Sequence, residues 1–195
     1  NAATGAKEIT LALLAGGAVI TAQNQDGATP LHMAAGSNGG AIAKVLLEHR
    51  ADPLILTADK RTPLHMAADN GAAVAAAVLL KSPAQAIVKL LETVNDKGEA
   101  PLTRAAARGH SDVVQLLLQS KAPVTQVNVW GQTALHLAAH GGHLSCVAVL
   151  IDHGAPVKVV ANDGYTPLHN AVERCHAQVA DLLLTQGAGV EARAH

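Results

Sequence analysis

The chain repeats itself, and the period of the repetition constrains the fold more than any single motif. The heptapeptide TPLHMAA stands at residues 29–35 and again at 62–68, and related segments follow as APLTRAA (100–106), TALHLAA (133–139) and TPLHNAV (166–172). Their first residues are separated by 33, 38, 33 and 33 positions. A pair of branched aliphatics keeps the same beat, at Leu13-Leu14, Leu46-Leu47, Leu79-Leu80, Leu117-Leu118, Leu150-Ile151 and Leu183-Leu184. From each Thr (or Ala100) to the second aliphatic is 18 residues, so the five extra residues lie between Leu80 and Ala100. A period of this length is the signature of a solenoid. One unit is too small to bury its apolar face alone, and stacked neighbours share a continuous core.

Within a unit, the local chemistry predicts two short helices and a turn. Thr166 is placed to cap a helix, its hydroxyl accepting from first-turn amides. Pro167, at the first helical position, gives up a donor that has no intrahelical partner. The segment continues as LHNAV. In the preceding unit GGHLS at 141–145 breaks the first helix, CVAVLI forms a second with apolar residues on one face, and DHGAPV ends it at a glycine suited to a left-handed turn. ANDG at 161–164 then carries the Asp-Gly signature of a tight hairpin. Composition agrees with closely packed helices. Hydrophobic residues make up 49% of the chain, yet there is no Phe, one Trp and one Tyr. The core must therefore be Ala with Leu, Val and Ile, rather than the aromatics that sheets favour. Alanine pairs such as Ala34-Ala35 and Ala138-Ala139 let helix axes approach to roughly 8–10 Å.

The segments DGATPLHMAA, GQTALHLAAHGGHLSCVAVLIDHGAPV and DGYTPLHNAV closely resemble the ankyrin-repeat family, and the resemblance runs from about Lys7 to Val190. It implies an all-α repeat solenoid, a stack of antiparallel helix pairs with protruding β-hairpin loops, forming a single domain. The expected divisions are a half repeat at 6–24 and repeats at about 25–57, 58–95 with the five-residue insertion, 96–128, 129–161 and 162–195. End units of such a stack should present polar outer faces. Yet VADLLLTQGAGV at 179–190 reads like an internal unit, and the N-terminal half repeat lacks room for its first helix. The array is expected to continue at one or both ends, or to dock against another domain.

Three constellations contain residue types that enzymes and metals use. Thr29/His32, Thr62/His65, Thr133/His136 and Thr166/His169 each pair a hydroxyl with an imidazole, the types used as nucleophile and base. Catalysis needs a third orienting group and an oxyanion site, and neither is visible. In the family this chain resembles, the Thr and His belong to a buried hydrogen-bond network that ties loop and helix to neighbouring repeats, and that role is expected here. Ala100 and Thr103 take these places in the third full unit, where the network should be weaker. HLAAHGGHLSC at 136–146 offers His136, His140, His143 and Cys146, ligand types suited to zinc, with His136 and His140 on one helical face. But His136 is the inward architectural histidine, Cys146 falls on the apolar face of the second helix and His140 faces the groove. The four side chains should diverge, and no metal or other cofactor is expected. His110, His143 and His176 recur at 33-residue steps and should form a column near helix starts. They read either as a pH-sensitive stripe or, as is typical of the family, as solvated or backbone-bonded side chains.

Trp130 and Tyr165 flank turn glycines in VWGQT and DGYTP. They are expected near each other on the concave side, either as anchors for a partner or as packing between loop tips. The tips add Asp26, Asp59, Arg61, Lys97, Glu99, Gln132 and Asp163, and the first-helix ends add Asp69, Asn70, Arg108, His140, Glu173 and Arg174. From these, the candidate protein-binding set is Trp130, Tyr165, Arg61, Lys97, Glu99, Arg108, Gln132, His140, Asp163 and Arg174. The mixture suits a polar peptide or protein surface and is too balanced for DNA phosphates. The formal charge of the whole chain, -1, is far from the basic footprint of a nucleic-acid binder. A methyl-lysine cage would need more aromatics.

The irregular segment KSPAQAIVKLLETVNDKG, 81–98, reads as a helix capped by Ser82 with Pro83 as its first residue. It is either an additional helix between units or the true second helix of its unit. The constant 18-residue spacing favours the former. A functional insertion and a neutral loop expansion are both open.

These readings converge on a non-catalytic module that binds a protein or peptide along its concave hairpin and short-helix face. The alternative is a targeting or regulatory domain of a larger enzyme or channel whose catalytic part lies outside this chain. An enzyme in its own right would need a pocket of converging titratable groups. No nucleic acid, small-molecule substrate or membrane is expected as partner; the longest apolar run, AAVAAAVLL at 72–80, is far short of a bilayer span. Cys146 and Cys175 make no CxxC and no disulfide framework, which favours a cytoplasmic or otherwise intracellular setting. A monomer is expected.

Overall fold

The computed structural model describes residues 2–189; the last part of the final expected repeat, from residue 190 on, lies outside the described residues. The helices are α1 (Ala2–Ala15), α2 (Pro30–Gly36), α3 (Gly40–Glu48), α4 (Pro63–Asp69), α5 (Ala73–Leu79), α6 (Ala84–Glu92), α7 (Pro101–Arg108), α8 (Ser111–Gln119), α9 (Ala134–His140), α10 (Leu144–Asp152), α11 (Pro167–Glu173) and α12 (Ala177–Thr185). They form two layers. In one, α2, α4, α7, α9 and α11 pack in succession; in the other α1, α3, α5, α8, α10 and α12 do, and each first helix also packs on the second helix of its own unit.

The repeat spacing becomes two columns of leucine. Leu31, Leu64, Leu102, Leu135 and Leu168 run through the first layer and Leu46, Leu79, Leu117, Leu150 and Leu183 through the second, all buried. Each contributes about 1.5–3 kcal/mol from burial. Ala35, Ala68, Ala106 and Ala139 are fully buried between them, where any larger side chain would force the layers apart. The half repeat contributes α1 to the second layer, and among the described residues no helix precedes α2 in the first layer. Leu14 and Ile20 pack on the core, while Leu13, in register with Leu46, is 60% exposed.

Two details depart from the sequence reading. Residues 81–98 do hold a helix of their own, α6, following α5 and preceding α7. Its cap, however, is Pro83 rather than Ser82. Ser82 N still donates to Leu79 O at the end of α5, and the helix opens from Pro83 O, which accepts from Ala86 and Ile87. The loops, in turn, form tight turns. Among the described residues there is no strand, only an isolated antiparallel bridge between Val127 and Thr133. Each turn is too short for more than one backbone pair beyond its closing bond, as in Gly27 N to Asn24 O and Asn24 N to Ala28 O.

Candidate functional site

The Thr and His of the heptapeptide are consumed by architecture. The backbone N–H of Thr29, Thr62, Thr133 and Thr166 donates to Nδ1 of His32, His65, His136 and His169 at 3.1–3.2 Å. An amide can only donate, so Nδ1 is the acceptor and the ring is the neutral Nε2–H tautomer. Nε2 then donates across to the next unit: His32 to Arg61 O, His65 to Glu99 O and His136 to Tyr165 O, at 3.0–3.1 Å. Burial lowers the pKa of all three, that of His65 to about 4, against the pull of the carbonyl each ring donates to. Such an imidazole has no lone pair left for a substrate. Thr103, in the third full unit, makes no equivalent bond.

The column His110, His143 and His176 is backbone-bonded too. Each ring donates from Nε2 to a carbonyl in the first helix of the preceding unit: Asp69, Ala107 and His140. The rings lie so close to that unit that a Cβ added at Gly109 or Gly142 would meet them at 2.5 Å.

The turns form a continuous row. Tips at 24–28, 57–61, 95–99, 128–132 and 161–165 are joined side by side by Ala58 N to Asp26 O, Asp96 N to Asp59 O, Val129 N to Lys97 O and Asn162 N to Trp130 O, at 2.9–3.2 Å. Inside three of the tips an asparagine organises the loop: Asn24, Asn95 and Asn128 each accept two loop amides on Oδ1. Thr57 does part of this with its hydroxyl. Sequence reasoning singled out the Asp-Gly pair at 163–164 and missed the asparagine three residues before the turn glycine in the other tips, Asn24, Asn95 and Asn128 before Gly27, Gly98 and Gly131, whose recurrence was the available signal.

Several candidate residues are drawn into one ionic network. Asp69, at the end of α4, faces Arg61, Arg104 and Arg108. Arg104 also binds Glu99 Oε2 at 3.0 Å, and the same oxygen accepts from Asn95. Arg61 Nε lies 2.6 Å from Asp59 Oδ2, close but not aimed along its N–H. Glu99, expected at an exposed tip, is buried, with its Oε2 held by Arg104 and Asn95. Arg104 was not among the candidates. It replaces the Met, Leu or Asn of the other units immediately after the histidine position, and an arginine in an Ala-rich first helix was the signal. Lys97 and Arg108 remain exposed at the edge of this network. Lys60 pairs with Asp96 at 3.1 Å on the surface.

The two aromatics do not share a recess. Trp130 is 48% exposed and lines a depression of about 610 Å³ with Gln132, Asn162 and Asp163. Tyr165, half-buried, lies with its ring 5.6 Å from that of His169 and lines a separate recess with Leu168, Val172 and Glu173. The register explains this: Trp130 aligns with Asp163, and Tyr165 with Gln132, two positions apart in the tip. His140 sits beside Arg174; burial and that guanidinium hold its pKa below the ordinary value, with Glu173 acting the other way.

Comparison with protein families decides the assignment. A model described as ankyrin repeats in three copies matches residues 1–89, 56–128 and 102–194. The chain belongs to the ankyrin-repeat family. Comparison with curated proteins gives no match. Ankyrin repeats are generally protein-interaction modules rather than catalysts. Nor do the remaining constellations converge: His136 and His143 are committed to carbonyls, and Cys146 is fully buried in the core, where desolvation pushes its thiol up to about 11. Among the described residues no group of three potential metal ligands comes together, and no helix is long and apolar enough to cross a membrane.

Proposed function

We propose that this ankyrin domain is a non-catalytic module that binds a protein or peptide on the concave face made by its loop tips and first-helix ends. The observation that carries the reading is Trp130. It is a large aromatic held nearly half-exposed on a row of tips whose backbones are locked side by side, the pre-organised setting in which aromatic anchors contribute most to binding. Around it, Gln132, Asp163, His140, Arg174, Lys97 and Arg108 form a mixed polar rim, and Tyr165 supplies a second, shallower anchor. Arg61 and Glu99, tied into the network with Asp69 and Arg104, serve the face by fixing the tips rather than by contact. The near-neutral charge favours a protein over a nucleic acid. A cytoplasmic, monomeric module without cofactor fits the same reading.

The test is affinity capture of a partner, followed by the double variant Trp130→Ala/Tyr165→Ala. Neither ring is part of the leucine core, so the variant should fold. Loss of on the order of 10-fold or more in affinity is expected for removal of two aromatic anchors. Undiminished binding by the folded variant would place the interface elsewhere.

A further inference from the structure

The recess between the fourth and fifth tips has a chemistry of its own. It is lined by the exposed Trp130 together with Asp163, Asn162 and Gln132. Its polar side chains are partly engaged within the tips. Asn162 Nδ2 donates to Val129 O, Gln132 Oε1 accepts from Asn128 Nδ2, and Asp163 Oδ1 accepts the amide of Tyr165. No cation among the described residues pairs with Asp163, whereas the acids of the second and third tips are matched by Lys60, Arg61 and Arg104. The backbone beneath the indole is fixed, because Trp130 O accepts from Asn162 N and Trp130 N donates to Asn128 Oδ1. An exposed indole on a fixed backbone beside an unmatched carboxylate selects a flat cation. An acidic side chain would be repelled, and an apolar one would cover Asp163 without pairing it. Guanidinium meets both demands, stacking on the ring and donating in a fork to the carboxylate, and does so better than ammonium.

Resting on the reading of the tips as a binding face, we propose that this recess takes an arginine side chain of the partner, laid on Trp130 and paired with Asp163. Lys97, across the tip row on the other flank of Trp130, disfavours a cation on that side and so sets the direction of the basic residue.

Trp130 is the only tryptophan, so its fluorescence reports on the recess directly. The probes are acetyl-Gly-Arg-Gly-amide and its neutral near-isostere with citrulline. A saturable fluorescence change with the arginine peptide is expected, with the citrulline peptide on the order of five-fold weaker, and Asp163→Asn should erase that difference. The asparagine can still accept the Tyr165 amide, so the tip should keep its shape; circular dichroism and urea unfolding check this. Equal binding of the two peptides, an arginine affinity unchanged in Asp163→Asn, or no saturable change by about 50 mM peptide would each overturn the proposal. The two readings fail separately. A captured partner lost by Trp130→Ala/Tyr165→Ala but retained by Asp163→Asn sinks the arginine anchor and leaves the binding face standing.

Discussion

The histidine at the third helical position shows how one side chain can be both cap and tie. Its Nδ1 closes the helix start on the Thr amide while Nε2–H reaches the next unit; protonation would leave the Nε2–H bond but destroy the Nδ1 acceptor, so making both at once requires the neutral ring. His65, fully buried with its pKa lowered to about 4, therefore makes stability depend on pH. In the unfolded chain it takes up its proton near pH 6.5; in the folded chain it does so only near 4. Its contribution is fully present above pH 6.5, is lost as pH falls from there to about 4, and amounts to about 3 kcal/mol over that window. His32 and His136, shifted the same way, add to the slope. Urea midpoints should be level above pH 7 and fall steeply below 6, and NMR titration of the His65 ring should show no change until well below pH 5.5; a midpoint near 6.5 in the folded protein would refute the assignment. A second residue-scale device is the glycine opposite the histidine column. Gly109 has φ +79°, and an added Cβ would strike the His143 ring. Asn38 tolerates a side chain at the equivalent place because the following unit presents Ala72 instead of a ring, and its Oδ1 accepts from Val74 and Ala75. Gly109→Ala should cost about 2 kcal/mol, and distinctly less in a His143→Ala background. Equal costs in both backgrounds would mean that the ring is not the obstacle.

At the scale of elements, the helices and their order were legible because their causes are local: a capping Thr, a Pro at the first position, apolar spacing, and Ala where layers approach. What was not legible depends on pairs far apart in sequence. Arg104 and Asp69, 35 residues apart, meet only because α7 stacks on α4, and without that contact Glu99 reads as an exposed tip charge. The α6 cap was misread for a related reason: Ser82 stays bonded to α5, a competition between adjoining helices that a capping motif alone does not reveal. The α4–α7 network should behave as a partly buried one, since the Asp69 and Arg104 side chains are 10% and 16% exposed. Asp69→Asn leaves Arg104 with Glu99 alone and should cost about 2 kcal/mol, below the 3–5 typical of a fully buried pair. Arg104→Met should cost less, because the remaining Asp69 keeps Arg61 and Glu99 keeps Asn95. A loss under about 0.5 kcal/mol for Asp69→Asn, measured by urea unfolding, would reduce the network to ordinary surface ion pairs.

For the whole molecule, stability is approximately a sum of unit terms and interface terms between neighbours, so one poor interface sets where the stack opens. The third full unit has Ala100 and Thr103 in place of the Thr-His pair. It therefore lacks the bond from the histidine to the next tip, where His32, His65 and His136 each supply one. Its junction with the fourth unit keeps the leucine columns, the His143 tie to Ala107 O and the Val129 bond to Lys97 O, and loses one buried cross-unit hydrogen bond, about 1 kcal/mol. The ionic network lies on the other side of the third unit, between α4 and α7, and strengthens the junction before it. The stack should therefore part between α7/α8 and α9/α10. In native-state hydrogen exchange, amides of α9 to α12 should share a lower opening free energy than those of α4, α5, α7 and α8. Installing Ala100→Thr/Thr103→His restores the cap and places an Nε2–H opposite Gln132 O. That double variant should raise Tm by roughly 3 °C and bring the two sets of amides together. If the variant folds and the two groups still open separately by the same margin, the missing histidine is not what weakens the junction, and the difference must come from the leucine packing on either side.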